Sequence, residues 1–228
     1  MDLLQIREKE IFEVLKKIKK HQFVVIGGYA VNAYTLPRFS VDCDIVVLDK
    51  KELEKIEKTL LKEGYKKNTE EKENVLYGSN FKRYEKYLIN NFKVSLDVLV
   101  KEIFDRQTNV IFSAKWVFKN SEIKALKGKT IAGELKLMII NLDALFVMKM
   151  ISCRSTDIRD LFMLAPNIKD KNWIKSEISS IYDFKNRFTK IKEKITSKEF
   201  KDGLQGVYGA IDERVFERHK KSIIAIEK

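Results

Sequence analysis

Asp42 and Asp44 stand one residue apart inside the apolar run Val41-Asp-Cys-Asp-Ile-Val-Val-Leu48, and that spacing calls for a cation. Side chains alternate across a strand, so the two acids point to one face with their Cα atoms roughly 6.5 to 7 Å apart. Both carboxylates then reach one metal ion or two adjacent ones. Partial burial of two like charges costs several kcal/mol per ion unless something positive compensates. Mg²⁺, with Mn²⁺ as its substitute, is the simplest candidate, because it prefers carboxylate oxygens and travels with a nucleotide's phosphates. Upstream, Gly27-Gly28 follows the apolar run Phe23-Val24-Val25-Ile26. Glycines there allow close backbone approach, and a helix starting from them points N–H groups at phosphate.

A third acid, Asp97, interrupts the apolar run from Phe92 to Val100. Val94, Leu96, Val98 and Val100 form one face of that strand; Ser95, Asp97 and Leu99 form the other. A lone buried carboxylate is costly unless paired or coordinated. A lysine or backbone donors would satisfy it, but beside Asp42 and Asp44 a three-carboxylate site is the better reading. Further on, Lys149, Asp157 and Asp160 share one face of an expected helix at 3.6 residues per turn. They read either as an ordinary polar stripe or as a charged working face.

Hydrophobic spacing supplies the elements that must position these groups. It predicts a helix over 3 to 20, a strand over 23 to 26, a short helix over 29 to 34 ended before Pro37, and a strand over 41 to 48. A helix over 53 to 63 closes at Gly64, and strands follow at 74 to 78, 84 to 89 and 92 to 100. Asn90-Asn91 suits the tight turn joining the last two. Short strands are expected at 110 to 112, 116 to 118 and 136 to 140. A long helix from Leu142 to Leu164, and further helices at 171 to 181, 184 to 195 and 211 to 225, complete the chain. The order implies an α+β fold, a small mixed β-sheet backed by helices and followed by a helical C-terminal subdomain, with the boundary near 141.

Composition narrows the rest. The chain has 228 residues, 44% of them hydrophobic, a formal net charge of +12 and a pI near 9.4. That charge suits an anionic partner such as nucleotide, RNA or DNA, or simply a solvated basic surface. Lys185 to Lys194 mixes cations with Phe188, as phosphate-tracking surfaces and solvated amphipathic helices both do. Two cysteines, Cys43 and Cys153, without CxxC spacing suggest neither zinc nor disulfides, and two histidines argue against histidine-based catalysis. No apolar stretch reaches the roughly eighteen residues of a membrane span, and the amino terminus is charged, so a cytoplasmic protein with no membrane association is expected. Gly128-Lys129-Thr130 looks like the end of a P-loop, but Ile123 stands where that motif needs its first glycine, which leaves Gly128 a surface turn.

The series Gly27-Gly28, Asp42-x-Asp44 and Asp97 on a later strand resembles the nucleotidyltransferase superfamily that includes DNA polymerase beta. The fuller string through Arg38-Phe-Ser40-Val-Asp42-Cys-Asp44, and Lys149, Arg154, Asp157 and Asp160-Leu161 on the helix, are similar to the AbiEii-type branch. The resemblance implies a nucleotidyltransferase catalytic domain over 1–141 and a helical domain over 142–228 that completes the nucleotide and acceptor cleft. It implies transfer of an NMP from an NTP to an acceptor hydroxyl with release of pyrophosphate. Asp42, Asp44 and Asp97 would be the catalytic and metal-binding residues, with Asp97 as base or as ligand of a second ion. Gly27, Gly28, Arg38, Ser40, Lys149 and Asp157 would bind nucleotide, Lys149 as a phosphate contact and Asp157 orienting the lysine or touching the nucleotide. By analogy the acceptor would be tRNA or other RNA, and the chain the toxin of a toxin–antitoxin pair, with an antitoxin protein as partner. The competing readings are a catalytically silent nucleotide-, nucleic-acid- or partner-binding module, and nucleotidylation of an antibiotic or a protein.

Overall fold

The computed structural model describes residues 2–68 and 80–227; the strand expected at 74 to 78 lies outside them. The chain forms two compact units. The first comprises Met1–Ala33, Phe39–Phe104 and Ile111–Ile140, and the second Tyr34–Arg38, Asp105–Val110 and Asn141–Lys228.

The first unit is built on a sheet whose strands run in the order β3 (Lys66–Lys67), β4 (Phe81–Tyr87), β5 (Lys93–Val100), β2 (Asp42–Val47), β1 (Val24–Ile26), β9 (Glu134–Ile140) and β8 (Ser121–Lys127). β2 pairs with β5, and β1 with β9, in parallel; the other neighbours are antiparallel, which makes the sheet mixed, as expected. Alternation decides what each face does. Cys43, Ile45 and Val47 stand in register with Leu96, Val98 and Val100, and all six are fully buried. Each large aliphatic among them contributes on the order of 1.5–3 kcal/mol through burial. The helices α1 (Leu3–Ile18) and α3 (Lys50–Lys62) pack against β5, and α3 also against β2. Asp49 caps α3 by accepting a hydrogen bond from the Glu52 amide at 2.9 Å, and Gly64 ends it at φ 84°. The turn between β4 and β5 places both Asn90 and Asn91 at φ 57°, a conformation that asparagine tolerates better than most residues.

Three local expectations change in this unit. Residues 116 to 118, which read as a strand, lie in the helix α4 (Ala114–Lys119). The Ser113 hydroxyl caps it through the Trp116 amide at 3.1 Å, and burial of Ala114 and Val117 outweighs the β propensity of Trp-Val-Phe. β6 (Glu102–Phe104) and β7 (Ile111–Ser113) form a separate two-stranded ladder. β8, whose exposed lysines and glutamate hid its alternation, is a sheet edge.

The second unit holds α5 (Leu142–Ser152), α6 (Ser155–Leu164), a 3₁₀ turn (Ala165–Asn167), α7 (Lys171–Ile181), α8 (Phe184–Ile195), α9 (Lys198–Tyr208) and α10 (Glu213–Ile224). The single helix expected from 142 to 164 is therefore two. Cys153 adopts the left-handed conformation, φ 49°, while its amide still bonds the Lys149 carbonyl at 2.8 Å. No glycine or proline announces that break. α9 went unforeseen because Gly203 and Gly206 argue against a helix; Ser197 caps it, and it buries Phe200 and Leu204. Phe162 anchors this unit's core, with ring centroids 5.2 Å from Phe200, 5.0 Å from Phe216 and 5.4 Å from His219. Among the described residues no helix is long and apolar enough to cross a membrane.

Candidate active site

Strand register assembles the acids. Ile26 pairs with Asp44, Asp44 with Asp97, and Asp97 with Arg83, so one row crosses β1, β2, β5 and β4. The next row on the same face is Asp42, Ser95 and Glu85. Neighbours within a row are separated by one strand spacing, about 4.8 Å between backbones. Asp42 and Asp44 are partly exposed, whereas Asp97 is 4% exposed.

Each acid has a local partner. The Ser95 hydroxyl donates to Asp42 Oδ1. Asp97 is chelated by the Arg83 guanidinium, with Nε 2.8 Å from Oδ1 and Nη2 2.7 Å from Oδ2. Asp44 lies against Gly27, where a Cβ would overlap Oδ2, and Gly27 itself sits at φ 65°. The glycine is needed twice, for its backbone conformation and for the carboxylate beside it. It opens α2 (Gly27–Val31), so the turn is itself the first residue of that helix. The Ser40 hydroxyl donates to the Asp42 carbonyl at 3.3 Å and fixes the entry to β2.

These residues suit a hard divalent ion at Asp42 and Asp44: two carboxylates on one face, both open to solvent, offering oxygen donors alone. With Asp97 turned to Arg83, no group of three or more His, Cys, Asp or Glu among the described residues stands ready to hold a metal. Arg83 and Ser95 are the site's residues that sequence reasoning missed. Ser95 was visible on the acid face of β5; Arg83 lies among alternating cations and aromatics of β4, and only register singles it out.

In the second unit Lys149 and Asp157 do come together, across the helix break rather than along one helix. Lys149 Nζ is 2.9 Å from Asp157 and 2.8 Å from Asp160. Arg38 chelates Asp160 with Nε at 2.9 Å and Nη2 at 2.7 Å. Burial opposes the charge on both cations, yet the carboxylates outweigh it and hold Arg38 and Lys149 above their usual pKa. Burial likewise works to raise Asp160, but Lys149 and Arg38 keep it below the ordinary carboxylate range. Arg38 is 6% and Lys149 8% exposed, so both are ion-paired core cations.

The same unit carries a groove of about 750 Å³ lined by Arg154, Lys190, Lys194, Gln107, Cys153 and Ser155 among others. Of the segment from Lys185 to Lys194, Phe188 and Arg187 turn inward, Arg187 over the Tyr182 ring at 4.5 Å, while Lys190 and Lys194 stay exposed. The cations therefore face the groove without the aromatic.

A mixed sheet with paired aspartates beside a glycine turn, and a third aspartate one strand away, defines the nucleotidyltransferase class. Residues 12–226 match the family described as nucleotidyl transferase AbiEii toxin, type IV toxin–antitoxin system. The chain belongs to that family and is a nucleotidyltransferase. No curated protein matches it by sequence. Among solved structures, its fold is similar to that of MenT4, a nucleotidyltransferase toxin from Mycobacterium tuberculosis H37Rv, at 12% identity and a TM-score of 0.63, covering 99% of this chain and 84% of that one. A match to the lincosamide antibiotic adenylyltransferase LnuA, bound to lincomycin, has 20% identity and a TM-score of 0.45 over 69% of this chain and 95% of that one.

Proposed function

We propose that the chain moves an NMP from an NTP to a hydroxyl of RNA, tRNA being the leading acceptor, and that it is the toxin of a toxin–antitoxin pair opposed by an antitoxin protein. The observation that carries the chemistry is the row of Asp44 and Asp97, with Asp42 beside it and Gly27 beneath Asp44. Asp42 and Asp44 would hold Mg²⁺, and Asp97 stands where a second ion's ligand is needed. A bound divalent ion supplies charge neutralisation on the triphosphate and on the displaced oxygen.

The acceptor oxygen forms a bond to the α-phosphorus as the bond from that phosphorus to the α,β-bridging oxygen breaks. Pyrophosphate leaves with that electron pair, and Asp97, kept ionised by Arg83, takes the hydroxyl proton and passes it to solvent. Gly27 and Gly28 let the backbone approach the phosphates, and Ser40 steadies Asp42. In the same reading Lys149 and Arg38 are the helical unit's phosphate cations, and Asp157 takes the lysine-orienting role. The groove of Arg154, Lys190 and Lys194 supports a polyanionic acceptor, because cations spaced along a groove track a phosphate backbone.

Incubation with each α-labelled NTP, Mg²⁺ and total RNA should label RNA, and Asp42→Ala/Asp44→Ala should abolish the label. Lys190→Glu/Lys194→Glu should cut RNA labelling at least tenfold, and added salt should weaken labelling by the wild type. Label that persists in the aspartate variant, or that never enters RNA, overturns the reading.

A further inference from the structure

Asp97 is the most buried of the three acids, and it already has a cation. Arg83 reaches it from the neighbouring strand in direct register and meets both carboxylate oxygens, at 2.8 and 2.7 Å. The pair is mostly enclosed, with 24% of the Arg83 side chain and 6% of the Asp97 side chain exposed. Bidentate pairing of this kind is strong and directional. A guanidinium does not deprotonate in proteins, so Arg83 leaves Asp97 only when something competes for it.

The register explains why a cation is built in here. Asp44 and Asp97 are direct neighbours across β2 and β5, and Asp42 and Glu85 lie on the same face one row away. Glu85 is answered by Lys93, whose Nζ lies 2.8 Å from its carboxylate. Asp97 is answered by Arg83. Asp42 and Asp44, the partly exposed pair, are left as the acids for which an ion from solvent is the natural counter-charge.

We infer that Arg83 is the resident cation of the third carboxylate and sets the order of metal loading: the chain takes one divalent ion at Asp42 and Asp44, and a second joins Asp97 only by displacing Arg83. The inference rests on the reading of Asp42 and Asp44 as the ion-binding pair. It makes Arg83 a positioning residue that guards the second ion's ligand. A merely structural Arg83 would behave in the opposite way, since its loss would loosen β4 against β5 and weaken ion binding throughout.

Titration of the full chain with MnCl₂, with free Mn²⁺ followed by electron paramagnetic resonance, separates these outcomes without any turnover. The wild type should bind one ion per chain, with a second at least tenfold weaker. Arg83→Gln and Arg83→Met should each strengthen the second ion at least tenfold, and adding Asp97→Asn to either should remove that gain. Circular dichroism identifies a variant that has failed to fold, and Asp97→Asn in the wild-type background gives a further check, because it should leave the first ion in place. Two ions of equal affinity in the wild type, or Arg83 variants whose second ion is unchanged or weaker, overturn the inference alone. No Mn²⁺ bound at any concentration overturns the metal-pair reading as well, and with it this one.

Discussion

The Asp44 carboxylate occupies space that any other residue at position 27 would claim, so one glycine hydrogen carries a catalytic requirement. Gly27→Ala adds a Cβ that overlaps Asp44 Oδ2 and forces a non-glycine residue to φ 65°. The backbone penalty alone is about 1–2 kcal/mol. Transfer should fall at least a hundredfold because Asp44 must turn away from the row, while thermal denaturation should show a folded protein of lowered midpoint. A variant with full transfer would show that Asp44 is not held where the reading needs it. Gly28 carries no such demand in the backbone, so two adjacent glycines that look equivalent in sequence have separate duties. The three aspartates were legible because each interrupts an apolar alternation. Arg83 was not, because β4 reads Phe-Lys-Arg-Tyr-Glu-Lys-Tyr and nothing within it says which cation faces Asp97.

Between elements, the strongest polar tie is also the one most easily mistaken for something else. Glu8 on α1 is 1% exposed and accepts from the Lys129 amide at 2.6 Å, the Thr130 amide at 2.8 Å and the Thr130 hydroxyl at 2.7 Å. The Gly128-Lys129-Thr130 segment thus wraps a carboxylate of its own chain, joining α1 to the loop between β8 and β9. Glu8→Ala leaves these donors without their acceptor and should cost about 2–4 kcal/mol in urea unfolding. Glu8→Gln keeps one acceptor oxygen and should cost less; equal losses would mean that packing, not the acceptor, holds the loop. Elements with a complete apolar stripe were legible: α1, α3, α7, α8 and the β2 and β5 strands all stand near their expected places. What escaped depended on partners distant in sequence. The break at Cys153 is stabilised by Asp157, which accepts from the Arg154 amide at 3.2 Å and from Lys149, and α4 forms because its burial overrides its composition.

For the whole molecule, the two histidines act in the same direction. His219 stacks on Phe162, and its Nδ1 lies 2.9 Å from the Phe162 carbonyl, which requires that nitrogen to be the donor. Burial pushes its pKa below the usual histidine value, more than the carbonyl bond restores. His21 is also lowered, first by burial, with Glu52 pulling the other way. A histidine whose folded pKa is depressed binds its proton more readily in the unfolded chain, so unfolding takes up protons as pH falls. The stability contributed by the neutral rings is fully present above the unfolded value of about 6.5 and is lost as pH drops through it toward the folded values. These are the chain's only histidines, one in each unit, so between about pH 5 and 7 they should dominate the slope, carboxylates titrating lower. Urea midpoints measured across that range should rise with pH. His219→Gln, which keeps a donor for the Phe162 carbonyl but does not titrate, should flatten the rise for the helical unit and leave the share that belongs to His21. A slope that survives His219→Gln unchanged would show that the ring is not held neutral by the core that surrounds it. Further acid should act through Asp160, whose depressed pKa keeps its ion pairs intact until pH falls below the ordinary carboxylate range.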